Sequence, residues 1–238
     1  MIRLQTIEAP VVGEFGKVFS TAPDVAIGED GKTYFIKGRN NATAFSEVAG
    51  CRLSALLGID VPRAGVGAFC GDLYAAVETV PKPNRNVRPW LGNLQKIEND
   101  GLLFEIIAVD TWLVNDDRNM GNLVGSSVGN GRIRLFMIDF EKSRALKENP
   151  FMGSGNVDPQ NLWPTAELGQ ILRGTKPTQC PAAILAKIRA ISSKQISDIL
   201  RPLADELPFV HWHESSIEVL TKRAEQIDRL VESVWTRN

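Results

Sequence analysis

The sequence predicts an α+β fold with a strand-rich first part and a helical second part. Three observations lead there. Short extended runs broken by turn signals dominate up to about Val80, long helical periodicities dominate afterwards, and the Pro/Asn-rich stretch PKPNRNVRPWLGN lies between them. The expected division is a first lobe over 1–80 and a second over 81–238, with that stretch as the linker.

The elements follow in chain order. VFSTAPDVAI and KTYFIKG flank GEDGK, whose Asp30-Gly31 pair signals a hairpin because both residues tolerate the left-handed turn conformation. NATAFSEVAGCRLSALLG puts Phe45, Val48, Ala49, Leu53, Leu56 and Leu57 on one helical face, with Gly58 as a left-handed cap. Val61-Pro62 keeps that helix from continuing. RAGVGAFCGDLYAAVETV returns to extended structure around a turn expected at Gly71-Asp72. GLLFEIIAVDTWLV reads as a buried helix, the alternating RIRLFMID as a strand, and KENPFMGSGNVDPQN as a loop. Three helical stretches are expected from Ala182 onward. The last opens at SSIE, where Ser215 and Glu218 have capping-box spacing, and carries Ile217, Leu220, Ala224, Ile227, Val231 and Val234 on one face.

Composition narrows the function classes. The 27 Lys+Arg against 28 Asp+Glu leave a net charge of -1, which argues against non-specific binding to nucleic acid or a membrane surface. Cys51, Cys70 and Cys180 are odd in number and unpatterned, as expected of reduced, buried thiols in a cytoplasmic protein. MIRLQTIEAP is not a signal peptide, and no apolar run is long enough to span a membrane.

The chemistry concentrates in DTWLVNDDRNMGNLV, 110–124, where a buried helix runs into a dense polar cluster. Asp117 and Asn122 have the spacing D-x-x-x-x-N, and Asp139 ends the strand RLFMID. Alone, the first pair also fits an ordinary polar turn. With the third carboxylate it suits phosphoryl transfer: one carboxylate takes the acceptor's proton, while an amide oxygen and a second carboxylate hold magnesium. Binding of that ion and a nucleotide would offset the cost of placing such groups beside a core. Upstream, Lys37 ends the strand TYFIK and Glu47 lies on the next helix among apolar neighbours, as a phosphate-binding lysine and its partner would. GEFGKV, with Gly13 and Gly16, fits either a glycine flap over the phosphates or a plain hairpin turn. It is not a P-loop, because Val18 follows Lys17.

Other features read as structure. His211 and His213 have no third metal ligand in view, no serine sits in a nucleophile elbow, and the aromatic residues do not interleave with a basic stripe.

WLVNDDRNMGNLV followed by LFMIDFEKS resembles the W-L-x-N-x-D-R-H-x-x-N…I-D signature of HipA-like kinases, which are related in fold to phosphatidylinositol kinases. YFIKG…SEVAGCRLSALLGIDVP resembles the lysine and glutamate run of the same family. The resemblance implies a two-lobed protein-kinase-like fold and an ATP- and magnesium-dependent serine/threonine protein kinase. It makes Asp117 the catalytic base, Asn122 and Asp139 magnesium ligands, and Lys37 the phosphate-binding lysine. It also implies nucleotide contacts near Glu78 to Val80 and extends to an antitoxin-like partner. Asn119 replaces the family's histidine, Ser46 stands where asparagine is frequent, and the chain is much shorter than full-length HipA toxins. A small-molecule or phosphatidylinositol-type kinase and a catalytically impaired nucleotide-binding module are the alternatives. The segment 151–161 follows the strand RLFMID as an activation segment would, and an ordinary surface loop is the alternative.

Overall fold

Alternating apolar residues in the first strands need an interior to fill, and they make one by closing on themselves. The structure, a computed structural model, describes residues 1–8, 24–84, 87–91, 93–115, 117–118, 120–147, 181–209 and 214–235. Strands β1 (Ile2–Glu8), β2 (Asp24–Gly28), β3 (Thr33–Lys37), β4 (Ala64–Phe69) and β5 (Asp72–Glu78) form a closed barrel in the order β1-β2-β3-β5-β4. The closing pair is parallel, with Ile2 opposite Gly67 and Arg3 opposite Ala68. Leu4, Ala26, Tyr34, Ile36, Tyr74 and Ala76 form a small core there.

The β2–β3 hairpin turns where expected, with Gly31 at φ 74°. The next turn differs from expectation by one residue. It is centred on Cys70 and Gly71, at φ 48° and 88°, and Asp72 already belongs to β5. The mirror-image turn that matches strand twist needs positive φ at both central residues, and this places Cys70 at an exposed tip rather than in a core.

Helix α1 (Ala42–Leu56) starts at Asn41, whose side chain accepts a hydrogen bond from the Thr43 amide, and Gly58 beyond its end has φ 79°. It packs against β4 and β5 and buries Ser46, Glu47 and Ser54 along with its apolar residues. The stretch expected to be a free linker is stitched down instead. β6 (Pro83–Asn84) pairs with β7 (Leu123–Gly129), and Ser126 Oγ donates to the Pro81 carbonyl at 2.6 Å. The short helix α2 (Arg88–Leu91) is held by Trp90 Nε1 donating to the Gly131 carbonyl at 3.2 Å.

Helix α3 (Leu102–Leu113) is central, with every residue except Glu105 buried. It ends at Val114 in the left-handed conformation, φ 55°. β7, which the sequence reading left unassigned, pairs with β8 (Arg132–Met137) in the register Leu123 opposite Met137. The helices α4 (Ala182–Arg189), α5 (Ser193–Glu206), α6 (Ser215–Glu225) and α7 (Ile227–Trp235) follow. The expected last helix is thus two, because the chain breaks at Gln226. The expected capping box at Ser215 is not formed: Ser215 is already helical, and Glu218 pairs with Lys222. A capping box forms at Ser192 and Gln195 instead. α3 packs against α4, α6 and α7, and α5 against α1, around one continuous core.

The mixed α+β class holds. Among the described residues, no helix is long and apolar enough to cross a membrane.

Candidate active site

Lys37 is delivered by the last residue of β3, and Glu47 by the second turn of α1. Lys37 Nζ lies 3.4 Å from Glu47 Oε2 and 3.0 Å from Asp139 Oδ1. Glu47 is buried, and its Oε2 also accepts the Phe140 amide at 2.8 Å. One glutamate therefore fixes both the lysine and the residue after Asp139. Burial pushes the Glu47 carboxyl above its ordinary range; Lys37 opposes this and Asp139 adds to it. Burial disfavours the Lys37 ammonium, but the Glu47 and Asp139 carboxylates outweigh it and hold the lysine charged to higher pH than usual.

Asp139 stands two residues beyond β8, at φ 69°. Left-handed backbone is uncommon outside glycine, although aspartate tolerates it better than most. The bend is held by Asn115 Nδ2, which donates to the Asp139 carbonyl at 3.3 Å. Asn122 closes a short 3-10 turn, Met120–Asn122, immediately before β7. Its Nδ2 donates to the Asp117 carbonyl at 2.7 Å, and its own carbonyl accepts the Ile138 amide at 3.1 Å. The loop bearing Asp117 and Asn122 and the turn bearing Asp139 are thus joined directly.

A narrow cleft opens beside the trio, lined by Phe35, Lys37, Glu47, Pro62, Val77, Glu78, Val80, Pro83, Val124 and Ile138. It unites four residues singled out in the sequence, Lys37, Glu47, Glu78 and Val80, with an apolar slot. Asp117, Asn122 and Asp139 are not among its lining residues; they connect to it through Lys37 and Ile138. The Glu78 carboxylate pairs with Lys32 at 2.8 Å, and its amide donates to the Arg63 carbonyl at 2.8 Å. Among the described residues no acceptor is found for the Val80 amide. Gly13, Gly16, Asp116, Asn119, the two histidines and the segment 151–161 lie outside the described residues.

Magnesium calls for hard oxygen donors and negative charge. The Asp139 Oδ1 is buried and takes no aligned hydrogen bond, although Lys37 is close. The Asn122 nitrogen is committed to Asp117, so among the described residues the oxygen is the end of that amide left for a cation. The trio sets two carboxylates against one ammonium, leaving an excess of negative charge. No group of three or more His, Cys, Asp or Glu suited to a metal occurs among the described residues. An ion here would rest on one carboxylate, one amide and ligand oxygens, and the donors present fit that.

Two buried arginines went unnoticed in the sequence. Arg118 is fully buried and pairs with Asp110 of α3 at 2.9 Å, so part of the cost of the polar cluster is met internally. Arg223 of α6 donates through Nε to the Trp112 carbonyl at 2.9 Å and through Nη2 to the Thr111 carbonyl. It neutralises the C-terminal end of α3, and burial pushes its guanidinium down to about 10. The only local signal was a charged residue on an otherwise apolar face.

No family model matches this sequence, and no curated protein matches it. A solved structure gives the class: the fold is kinase-like. A chain of the HipA, HipB and operator DNA complex from the toxin–antitoxin system of Shewanella oneidensis MR-1 aligns at 13% identity and TM-score 0.50, covering 92% of this chain and 62% of that one. The protein therefore spans about three fifths of that chain's length. The proinflammatory kinase CtkA of Helicobacter pylori aligns at 14% identity and TM-score 0.49, covering 90% of this chain and 93% of that one. At such identities the likeness speaks to fold.

Proposed function

We propose that this protein is an ATP- and magnesium-dependent phosphotransferase that moves the γ-phosphoryl group onto a serine or threonine hydroxyl of a protein, as a HipA-like kinase of the cytoplasm. The supporting observation is the Lys37–Glu47–Asp139 trio at the mouth of an apolar cleft, joined through Ile138 to the Asp117–Asn122 loop.

In this reading, residues 1–80 form a nucleotide-binding lobe and 81–238 a catalytic lobe. Val77, Val80, Val124 and Ile138 enclose the base, and the backbone of Glu78 and Val80 meets its polar edge. Lys37 holds the phosphates, while Glu47 keeps the lysine oriented. Gly13 and Gly16 are assigned to phosphate contact. Asn122 and Asp139 hold magnesium, which supplies charge neutralisation of the phosphates. Asp117 accepts the proton of the attacking hydroxyl as its oxygen bonds to the γ-phosphorus, and the bond to the departing ADP oxygen breaks. The HipA likeness makes an antitoxin-like protein the partner class to look for.

The experiment is transfer of label from γ-labelled ATP, with magnesium or with chelator, to protein, small-molecule and phosphoinositide acceptors. Label on protein serine or threonine, lost with chelator and in Asp117→Asn, supports the proposal. Label found solely on small molecules or lipid headgroups moves the assignment to a kinase of that class. Nucleotide binding with no transfer to any acceptor defines a pseudokinase.

A further inference from the structure

The two candidate magnesium ligands sit on different elements, one on the loop after α3 and the other on the turn after β8. Something must hold those elements in register, because a cation site tolerates little error in the distance between its donors. A single buried side chain touches both. Arg118 Nη1 donates to the Asn122 carbonyl at 3.1 Å and also to the Ile138 carbonyl, one residue before Asp139. The other side of the guanidinium is anchored on α3: Nε meets Asp110 Oδ2 at 2.9 Å and Nη2 meets Asp110 Oδ1 at 3.1 Å. The guanidinium also lies over the Phe140 ring, 5.4 Å from its centre.

We propose that Arg118, seated on Asp110, is a positioning residue that fixes the Asn122 loop against the Asp139 turn, so that amide and carboxylate converge on one cation. The inference rests on the phosphotransferase reading above. Geometry makes arginine specific for the task. The planar fork uses one edge for a two-point pair with the carboxylate and still has Nη1 to donate to two carbonyls. Lysine keeps the charge but has one nitrogen, which cannot reach the carboxylate and both carbonyls at these distances. Asn115 completes the anchor. Its Nδ2 donates to Asp110 Oδ1 at 3.1 Å and to the Asp139 carbonyl at 3.3 Å, so the same aspartate also organises the bend at Asp139. Asp110, Asn115 and Arg118 are fully buried and do not line the cleft. Arg118 therefore acts through the residues it holds and does not touch the nucleotide.

The test compares Arg118→Lys and Asp110→Asn with the unaltered protein, using a non-hydrolysable ATP analogue. Three quantities are measured: analogue affinity without magnesium, the apparent magnesium affinity at saturating analogue, and kcat and KM for ATP. The expected result for the folded variants is a magnesium affinity weakened about 10- to 100-fold, the usual effect of losing a residue that orients metal ligands. kcat should fall more than KM changes, and analogue affinity without magnesium should stay within about twofold, being set by the base slot and Lys37. A lower melting temperature with magnesium affinity and kcat unchanged would overturn the proposal, because a residue that merely supports the fold would give that result. Should Arg118→Lys fail to fold, Asp110→Asn, which keeps the shape of the anchor and removes its charge, decides by the same numbers. Absence of magnesium-dependent nucleotide binding in the unaltered protein is a separate outcome; it would overturn the phosphotransferase reading and this inference with it.

Discussion

Replacing Gly50 by alanine would stabilise an ordinary helix and should destabilise this one. Gly50 lies inside α1, where glycine is about 1 kcal/mol worse than alanine. Propensity alone therefore favours the substitution. The tertiary contact reverses the sign. A Cβ at Gly50 would sit 2.4 Å from both Cβ and Cγ of Phe140 and 2.7 Å from Cδ1. Carbon atoms settle at about 3.5–4.0 Å, so the helix and the Phe140 segment must separate by roughly 1 Å. Overpacking of this kind costs about 1–3 kcal/mol. The same separation stretches the 2.8 Å bond from the Phe140 amide to Glu47, and a buried donor left unsatisfied costs about 1–3 kcal/mol more. After the propensity gain is subtracted, the net loss is about 3 kcal/mol, or roughly 6–12 °C in Tm for a chain of this size. Because Phe140 follows Asp139, magnesium-dependent nucleotide binding should weaken as well. Thermal melting and calorimetry with a magnesium–nucleotide analogue measure both effects. A Gly50→Ala protein that melts at or above the temperature of the unaltered one, with full nucleotide affinity, would refute the close approach.

The remaining predictions are separable from that one. Asp139→Asn should weaken magnesium-dependent nucleotide binding as well as turnover, whereas Asp117→Asn should leave binding nearly intact and cut turnover by roughly 10²–10⁴-fold; calorimetry and label transfer run side by side would show the reverse pattern if the roles are exchanged. Arg223→Met strips the Thr111 and Trp112 carbonyls of their donor and should cost about 2 kcal/mol, the unpaired carbonyls outweighing relief from burying a guanidinium whose Nη1 has no partner among the described residues; an unchanged denaturation midpoint contradicts this. Burial and the Asp30 bond push the Tyr34 phenol from 10.0 up to about 12, and burial also raises Tyr74. The folded state keeps a proton that the unfolded chain releases, so this contribution to stability is fully present below pH 10 and is lost as pH rises toward about 12. Ultraviolet titration should show Tyr34 un-ionised near pH 10 while the protein stays folded, and ionisation of Tyr34 there would contradict its bond to Asp30.

Local order in the sequence determined a good deal. The strand carrying Lys37, the helix carrying Glu47, the buried helix leading to Asp117 and the strand leading to Asp139 each announce themselves by periodicity and punctuation within a dozen or so residues. The interval between Asp117 and Asn122 is likewise a property of one short loop, and here it closes through the bond from the Asn122 amide to the Asp117 carbonyl. What depended on packing was invisible at that range. β1 closes the barrel by pairing with β4, far along the chain, and nothing in either strand names the other. The turn at Cys70-Gly71 and the missing cap at Ser215 were settled by strand register and by where the helix could start against its neighbours. Gly50 looks like a weak point of α1 until Phe140 arrives against it. Asp110 and Arg118 read as two more charges in a polar stretch, yet they are the buried pair that joins α3 to both halves of the candidate site. A sequence shows which groups are apolar enough to bury and which backbone needs a turn. Which buried donor meets which buried acceptor is decided when distant segments pack, because only then does water leave and each polar group require a partner.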